Sequence, residues 1–278
     1  MPLFRVEDWD DAYANSANIA QGEKWPDAWV KAAADFRASV GGRAMTGISC
    51  GDNPREQFDL FRPESDAKGL FVFVHGGFWL RFDQSFWSHL AAGAIARGWA
   101  VAMPTYPLCP EVRIRDIARS VSKAVEKAAA MISGPIRFAG HSAGGHLVTR
   151  LACGGTGLSG GVLGRLDRML SISGVHDLRP MMKTAMNERL KLDLEEARAE
   201  SPALLEPVVD VPVTCWVGAN ERSEFVRQNA LLANAWRGLG LATEAVEEPD
   251  RHHFNVIDGL ARPDSALAEA LFSRVGKH

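Results

Sequence analysis

Residues 136–151 read Ile136-Arg137-Phe138-Ala139-Gly140-His141-Ser142-Ala143-Gly144-Gly145-His146-Leu147-Val148-Thr149-Arg150-Leu151, and this stretch decides the fold. Ile136 to Ala139 begins a predicted strand. His146 to Leu151 predicts a helix. Between them lies Gly140-His141-Ser142-Ala143-Gly144, a full Gly-x-Ser-x-Gly match. A serine at such a turn has a strained backbone and needs small neighbours on both sides. The turn lifts the hydroxyl over the sheet and aims the following helix N-terminus at it. Ser142 is therefore the candidate nucleophile. The bland alternative is a glycine-rich turn with a capping serine.

Strands and helices alternate outward from this turn. Upstream, residues 113–132 carry Ile114, Ile117, Val121 and Val125 on one helical face, and Gly134-Pro135 stops the helix. Gly69 to His75 predicts a strand buried on both faces, and Ala100 to Met103 another strand. Residues 84–97, ending at Gly98, have helical spacing, and Gln57 to Phe61 alternates as a half-buried strand does. Downstream, Met169 to Ile172 and Val211 to Val217 predict strands, with Glu244 to Val246 as a late edge strand. Ser223 to Trp236 and Ser265 to Val275 predict helices. This order argues for a mostly parallel sheet with helices on both faces. The first strands have no helix between them, which predicts an antiparallel edge.

One α/β domain fits 278 residues. Residues 1–40, with Trp9, Tyr13, Trp25, Trp29 and Phe36, predict a helical N-terminal segment. Residues 178–206 hold no strand candidate. Leu190, Leu194 and Ala197 at helical spacing predict an amphipathic helix there, in a small cap or lid. A long crossover helix is the alternative.

Composition narrows the function classes. The net charge of −3 comes with scattered Lys and Arg, which argues against nucleic acid. No apolar run approaches the roughly 20 residues of a spanning helix, which argues against a membrane protein. The acidic N-terminus lacks a signal-peptide pattern. The four cysteines, Cys50, Cys109, Cys153 and Cys215, are far apart without a Cys-x-x-Cys pair. They predict reduced thiols in a cytoplasmic protein, with no metal site. The expected partner is a small-molecule ester or amide, and the reading admits a homodimer.

A serine hydroxyl needs a base and a home for the oxyanion. His75-Gly76-Gly77-Phe78-Trp79 closes a predicted strand. Backbone N–H groups of Gly76, Gly77 and Ala143 are the oxyanion-hole candidates, with Phe78 as a substitute for one of them. His75 fits a structural role in that loop. Phe78, Trp79 and His141 are candidates for the pocket wall. The aromatic set Phe78, Trp79, Phe82, Phe86 and Trp87 suits an aryl group or plain core equally. The base is expected after the last strand, in the chain order Ser, acid, His. Arg251-His252-His253-Phe254 lies there, and His253 is preferred to His252. His141 and His146 sit too close to the nucleophile in sequence, and His278 is terminal. The acid is expected after the Val211 to Val217 strand, where no aspartate stands. Glu221 is the candidate, Glu224 the runner-up, and Asp177, one strand earlier, the competitor. No cofactor is needed.

These motifs resemble a known family. His75-Gly76-Gly77-Phe78-Trp79, Gly140 to His146, and Tyr106-Pro107-Leu108-Cys109-Pro110-Glu111 are similar to blocks of kynurenine formamidase-like and hormone-sensitive-lipase-like α/β hydrolases. Glu221-Arg222-Ser223-Glu224-Phe225 resembles the family's Asp-Ser-Pro-Glu-Phe block, with Glu in place of the acid, and His253-Phe254 its His-Phe block. The resemblance implies the α/β-hydrolase fold, a Ser142–His253–Glu221 triad and hydrolysis of an aryl formamide. Short-chain carboxylesterase or thioesterase activity is the alternative, and a hydrolase fold without catalysis is a third reading. A fluorophosphonate that labels Ser142 separates an enzyme from a binding protein.

Overall fold

The computed structural model describes residues 5–273. Eight strands form one sheet: β1 (Ala44–Ser49), β2 (Gln57–Phe61), β3 (Leu70–Val74), β4 (Ala100–Pro104), β5 (Ile136–His141), β6 (Leu166–Ile172), β7 (Val213–Gly218) and β8 (Thr243–Glu248). Their order is β1-β2-β4-β3-β5-β6-β7-β8. β1 and β2 pair antiparallel, as do β2 and β4, and the remaining pairs are parallel. The antiparallel edge and mostly parallel centre match the expectation. β3 and β5 are wholly buried; β3 is accordingly an unbroken apolar run, and in β5 the buried Arg137 is paired with Asp167. β1 had no sequence signal because its residues are largely exposed at the sheet edge.

The α-helices are α1 (Trp9–Ala12), α2 (Trp25–Val40), α3 (Ala92–Ala96), α4 (Ile114–Met131), α5 (Ala143–Leu151), α6 (Gly160–Leu163), α7 (Asn187–Leu190), α8 (Leu194–Ala199), α9 (Ser223–Gly238) and α10 (Ala266–Phe272). They cover both faces of the sheet and enclose two apolar clusters. On α4 the four residues Ile114, Ile117, Val121 and Val125 are all buried. Each such side chain contributes roughly 2 kcal/mol by leaving water.

Three expectations need correction. The helical pattern over 84–97 resolves into two 3₁₀ turns and the short α3. The Asp83 carboxylate accepts from Ser85 N–H, and Arg37 binds the Ser85 carbonyl and Ser88 hydroxyl, so local polar bonds override the periodicity. The single amphipathic helix around Leu190, Leu194 and Ala197 is two helices. Lys191 breaks it at φ 56°, the Asn187 amide bonds both Leu192 backbone groups, and Asp193 caps α8. Leu194 faces solvent as a result. The C-terminal helix ends at Phe272, and the expected residues 274–275 lie outside the described residues, as does His278. Among the described residues no helix is long and apolar enough to cross a membrane.

Candidate active site

The loops that leave β3, β5, β6, β7 and β8 meet at the carboxyl edge of the sheet. In open parallel sheets, ligands bind where neighbouring connections run to opposite sides. β3 and β5 are such neighbours.

Ser142 follows β5 directly. It adopts φ 54° and ψ −117°, and α5 begins at Ala143. This backbone costs roughly 1–3 kcal/mol and persists because its surroundings hold it. Its N–H donates to the Ile172 carbonyl at 2.8 Å, and His146 N–H donates to its carbonyl at 3.1 Å. The glycines around it are required by space. A Cβ at Gly140 would run into the Gly144 carbonyl, and one at Gly144 would run into the Val74 carbonyl. The helix therefore starts three residues earlier than its apolar pattern suggests, because glycines carry the first turn.

His253 stands in the loop after β8, 3% exposed. Its Nδ1 lies 2.6 Å from Glu221 Oε2. The other Glu221 oxygen, Oε1, accepts from Ser173 Oγ at 2.6 Å and from the Gly218 N–H at 2.9 Å. The imidazole packs on Phe225, with ring centroids 4.3 Å apart. Ser173 was not foreseen. It follows β6 at φ 52°, and its only sequence signal is its place at a strand end.

The competing candidates are engaged elsewhere. Asp177 binds Arg179 through both oxygens, at 2.9 and 2.8 Å. Burial would raise its carboxyl, but Arg179 outweighs this and holds it below the ordinary range. Glu224 is bound by Arg227 and by the Tyr13 hydroxyl. His252 meets Trp25 edge-on, and its Nδ1 accepts from Phe254 N–H.

The loop after β3 approaches Ser142 closely. A Cβ at Gly76 would come within 3.0 Å of Ser142 Cβ. Gly77 (φ 115°), Phe78 (φ 54°) and Trp79 (φ 58°) all have left-handed backbone. Among the described residues, the N–H groups of Gly76, Gly77 and Ala143 donate to no other main-chain oxygen. The Ala143 N–H also sits at the positive end of α5. His75 braces the loop from behind: its Nδ1 bonds the Gly76 carbonyl at 2.7 Å, and its ring stacks on Tyr106 at 4.4 Å. Burial pushes His75 down to about 4, so it is neutral at pH 7.

Of the three expected wall residues, Phe78 and His141 line the cleft. His141 donates from Nε2 to the His253 carbonyl at 2.9 Å. Burial first, and then the nearby His253, hold it well below the ordinary histidine range. Trp79 is different. It is fully buried beneath the loop, edge-on to His146 at 5.1 Å, and supports the wall without facing the cleft. The cleft is completed by Asn15, Trp29, Arg81, Phe82, Trp87 and Phe254. Trp29 lies 4.7 Å from Trp87 and 5.2 Å from Phe254, so α2 closes an aromatic wall over the site. Asn15 and Trp29 come from the N-terminal segment, whose part in the site had no local sequence signal. The segment is fastened by Tyr13 to Glu224 and Gln228, by Asp11 to Arg222, and by Asp10 to the Ala185 N–H.

Comparison with known proteins agrees with the fold. A family model described as alpha/beta hydrolase fold matches residues 71–256. The chain is 27% identical to a kynurenine formamidase of Salmo salar over 248 residues, 84% of this chain and 83% of that protein. A crystal structure of a candidate thioesterase from Silicibacter sp. TM1040 superposes with a TM-score of 0.92 at 48% identity, covering 96% of this chain and 99% of the other. Esterase B from Lactobacillus rhamnosus shares the fold, with a TM-score of 0.66 at 17% identity over 88% of this chain and 90% of its own.

Proposed function

The chain belongs to the α/β-hydrolase fold family, and from that membership we propose that it cleaves a small amide or ester through a Ser142–His253–Glu221 triad, with an aryl formamide of the N-formylkynurenine type as substrate. That it is a hydrolase follows from the family and its relatives. The observation that carries the finer reading is the 2.6 Å contact of His253 Nδ1 with Glu221, in a histidine that shares a cleft with Ser142.

In this mechanism Glu221 holds the proton on Nδ1 and leaves Nε2 free as a base. His253 takes the Ser142 proton as Oγ attacks the substrate carbonyl. The oxyanion is stabilised by the Gly76, Gly77 and Ala143 N–H groups. His253 then protonates the departing amine or alcohol, and the same imidazole activates water to release the acid. Loss of one oxyanion donor in such sites costs roughly 10²–10³ in kcat.

The aromatic wall of the cleft, formed by Trp29, Phe82, Trp87 and Phe254, suits an aryl leaving group. Thioester cleavage is the second reading, because the 48% identical structure is described as a candidate thioesterase. The test compares kcat/KM for N-formylkynurenine, a short p-nitrophenyl ester and a short acyl-coenzyme A thioester, with Ser142→Ala as control. Formamide turnover at or above the ester, lost in the variant, supports the proposal. Turnover of thioester or ester alone moves the substrate class and keeps the triad, and turnover that survives Ser142→Ala sinks the triad.

A further inference from the structure

Arg55 stands half-buried in the turn between β1 and β2, outside the residues that line the Ser142 cleft. Its N–H donates to Asn53 Oδ1 at 2.9 Å, and its neighbour Glu56 pairs with Lys123 of α4 at 2.6 Å, so the turn is anchored. The guanidinium leaves that turn and bonds oxygens of two other loops. Nη2 donates to the Phe82 carbonyl, at the far end of the loop after β3, and to Thr105 Oγ1 at 3.3 Å. Nε donates to the Tyr106 carbonyl, in the loop after β4, at 2.8 Å. Among the described residues Arg55 takes no carboxylate partner. A planar fork of donors fixes the spacing of the oxygens it holds, which a single ammonium does not.

Each arm of the fork leads to one of the two glycines assigned to the oxyanion. The first arm ends on Gly77. The loop after β3 folds back on itself, so a Cβ at Gly77 would run into the Arg81 carbonyl and come within 2.9 Å of the Phe82 ring. Gly77 and Phe82 therefore shift together. The second arm ends on Gly76. The Tyr106 hydroxyl donates to the His75 carbonyl at 2.9 Å, its ring stacks on His75, and His75 Nδ1 holds the Gly76 carbonyl at 2.7 Å.

The backbone of this loop depends on outside support. Phe78, Trp79 and Phe82 are bulky residues at positive φ, a conformation that persists only where the surroundings over-determine it. The Leu80 N–H donates to the Gly77 carbonyl at 3.0 Å, and the Cys109 N–H to the Trp79 carbonyl at 2.9 Å. Those bonds hold the near half of the loop, and Arg55 holds the far end at Phe82.

We propose that Arg55 is a positioning residue of the oxyanion hole, which aligns the Gly76 and Gly77 N–H groups from outside the cleft. The assignment rests on the reading of Ser142 as nucleophile and of those N–H groups as oxyanion donors, and deepens it. Such a hole works because its donors are fixed before the charge develops, and a misplacement of about 1 Å costs about 10²-fold in rate.

Arg55→Met removes the fork and keeps an apolar stem. With p-nitrophenyl acetate, kcat is expected to fall about 10- to 100-fold while KM stays within about twofold of the parent. Labelling of Ser142 by a fluorophosphonate should slow in parallel. There Oγ displaces fluoride from phosphorus, its proton passes to His253, and the phosphoryl oxygen occupies the same hole. Arg55→Lys reaches one carbonyl at a time and should lie between the parent and Arg55→Met. Added methylguanidinium should restore part of the Arg55→Met rate. A folded Arg55→Met with parent-like kcat and labelling, or a loss confined to KM, overturns the assignment. If Arg55→Met does not fold, Arg55→Lys decides: a fall in kcat of about fivefold or more at unchanged KM supports the role, and a smaller one overturns it. Turnover that persists in Ser142→Ala overturns the nucleophile reading and this one with it. A parent-like Arg55→Met beside an inactive Ser142→Ala overturns the role of Arg55 alone.

Discussion

Replacing Glu221 by glutamine tests the proposed triad with almost no change of shape, and the hydrogen bonds around the side chain dictate the outcome. Glu221 Oε1 accepts from the Gly218 N–H at 2.9 Å and from Ser173 Oγ at 2.6 Å. The Gly218 N–H can only donate, so the glutamine must place its oxygen there. Its NH₂ group then faces His253 Nδ1, at the present Oε2 position 2.6 Å away. That nitrogen must become the acceptor, which moves the imidazole proton to Nε2. A protonated Nε2 cannot take the proton of Ser142, and the cation formed during attack loses its counter-charge. The same substitution of a triad acid by its amide lowers kcat by about 10⁴ in a serine protease, equivalent to roughly 5.5 kcal/mol of barrier. A fall of that order is expected here in kcat/KM, with KM little changed. Slower labelling of Ser142 by a fluorophosphonate should accompany it. Thermal unfolding should show a folded protein, since each hydrogen bond has a replacement. A Glu221→Gln enzyme within tenfold of the parent, folded and pure, would refute the role of Glu221.

Three further outcomes follow from the same contacts. Ser173→Ala removes one of the two donors to Glu221 Oε1. It should lower kcat about tenfold through a looser His253 while KM holds, and a KM effect alone would argue against a positioning role. Gly144→Ala drives a Cβ into the carbonyl of Val74, and β3 is pinned between β4 and β5. A cost of about 4 kcal/mol, or a Tm roughly 10 °C lower, is expected by calorimetry, and a Tm within 2 °C would show that the turn has slack. Burial lowers His75 to about 4, and His146 and His176 to about 3. The unfolded chain binds these protons with a pKa near 6.5, so the native state carries fewer protons between those values. Stability therefore rises with pH there: it is fully present above about pH 6.5 and is lost as pH falls toward 3. At pH 5 the three groups alone give a slope of about 4 kcal/mol per pH unit. Urea midpoints that stay level from pH 7 to pH 5 would contradict it.

The parts of the site that are readable from sequence are those built by backbone over short distances. Gly140 to Gly144 and His75 to Trp79 announce themselves because each close approach demands glycine, and a Cβ at Gly140 or Gly144 has nowhere to go. Glu221 follows from strand order, since it stands in the loop after the buried run of β7, and His253 from its place after the last, edge strand. Signals fail where polar side chains rebuild the chain locally, as Asn187 and Asp193 do in splitting one apparent helix into α7 and α8. They fail again at β1, where an exposed edge strand has no buried face to impose alternation.

The largest gap is the N-terminal segment, and its cause is distance along the chain. Nothing near Asn15 or Trp29 in sequence marks them as cleft residues, because the partners that hold the segment in place, Glu224, Gln228 and Arg222, lie on and beside α9. Tyr13 is 1% exposed with its hydroxyl between Glu224 and Gln228, so the segment is docked as core is docked and does not trail over the surface. That docking lines the cleft with two pieces of chain far apart in sequence. The sheet edge carries the proposed reaction, whereas Asn15 and Trp29 of the N-terminal segment line the space in front of it. A change of acyl or leaving group should therefore be reached by substitutions at Asn15, Trp29 and Arg81 with Ser142, His253 and Glu221 untouched.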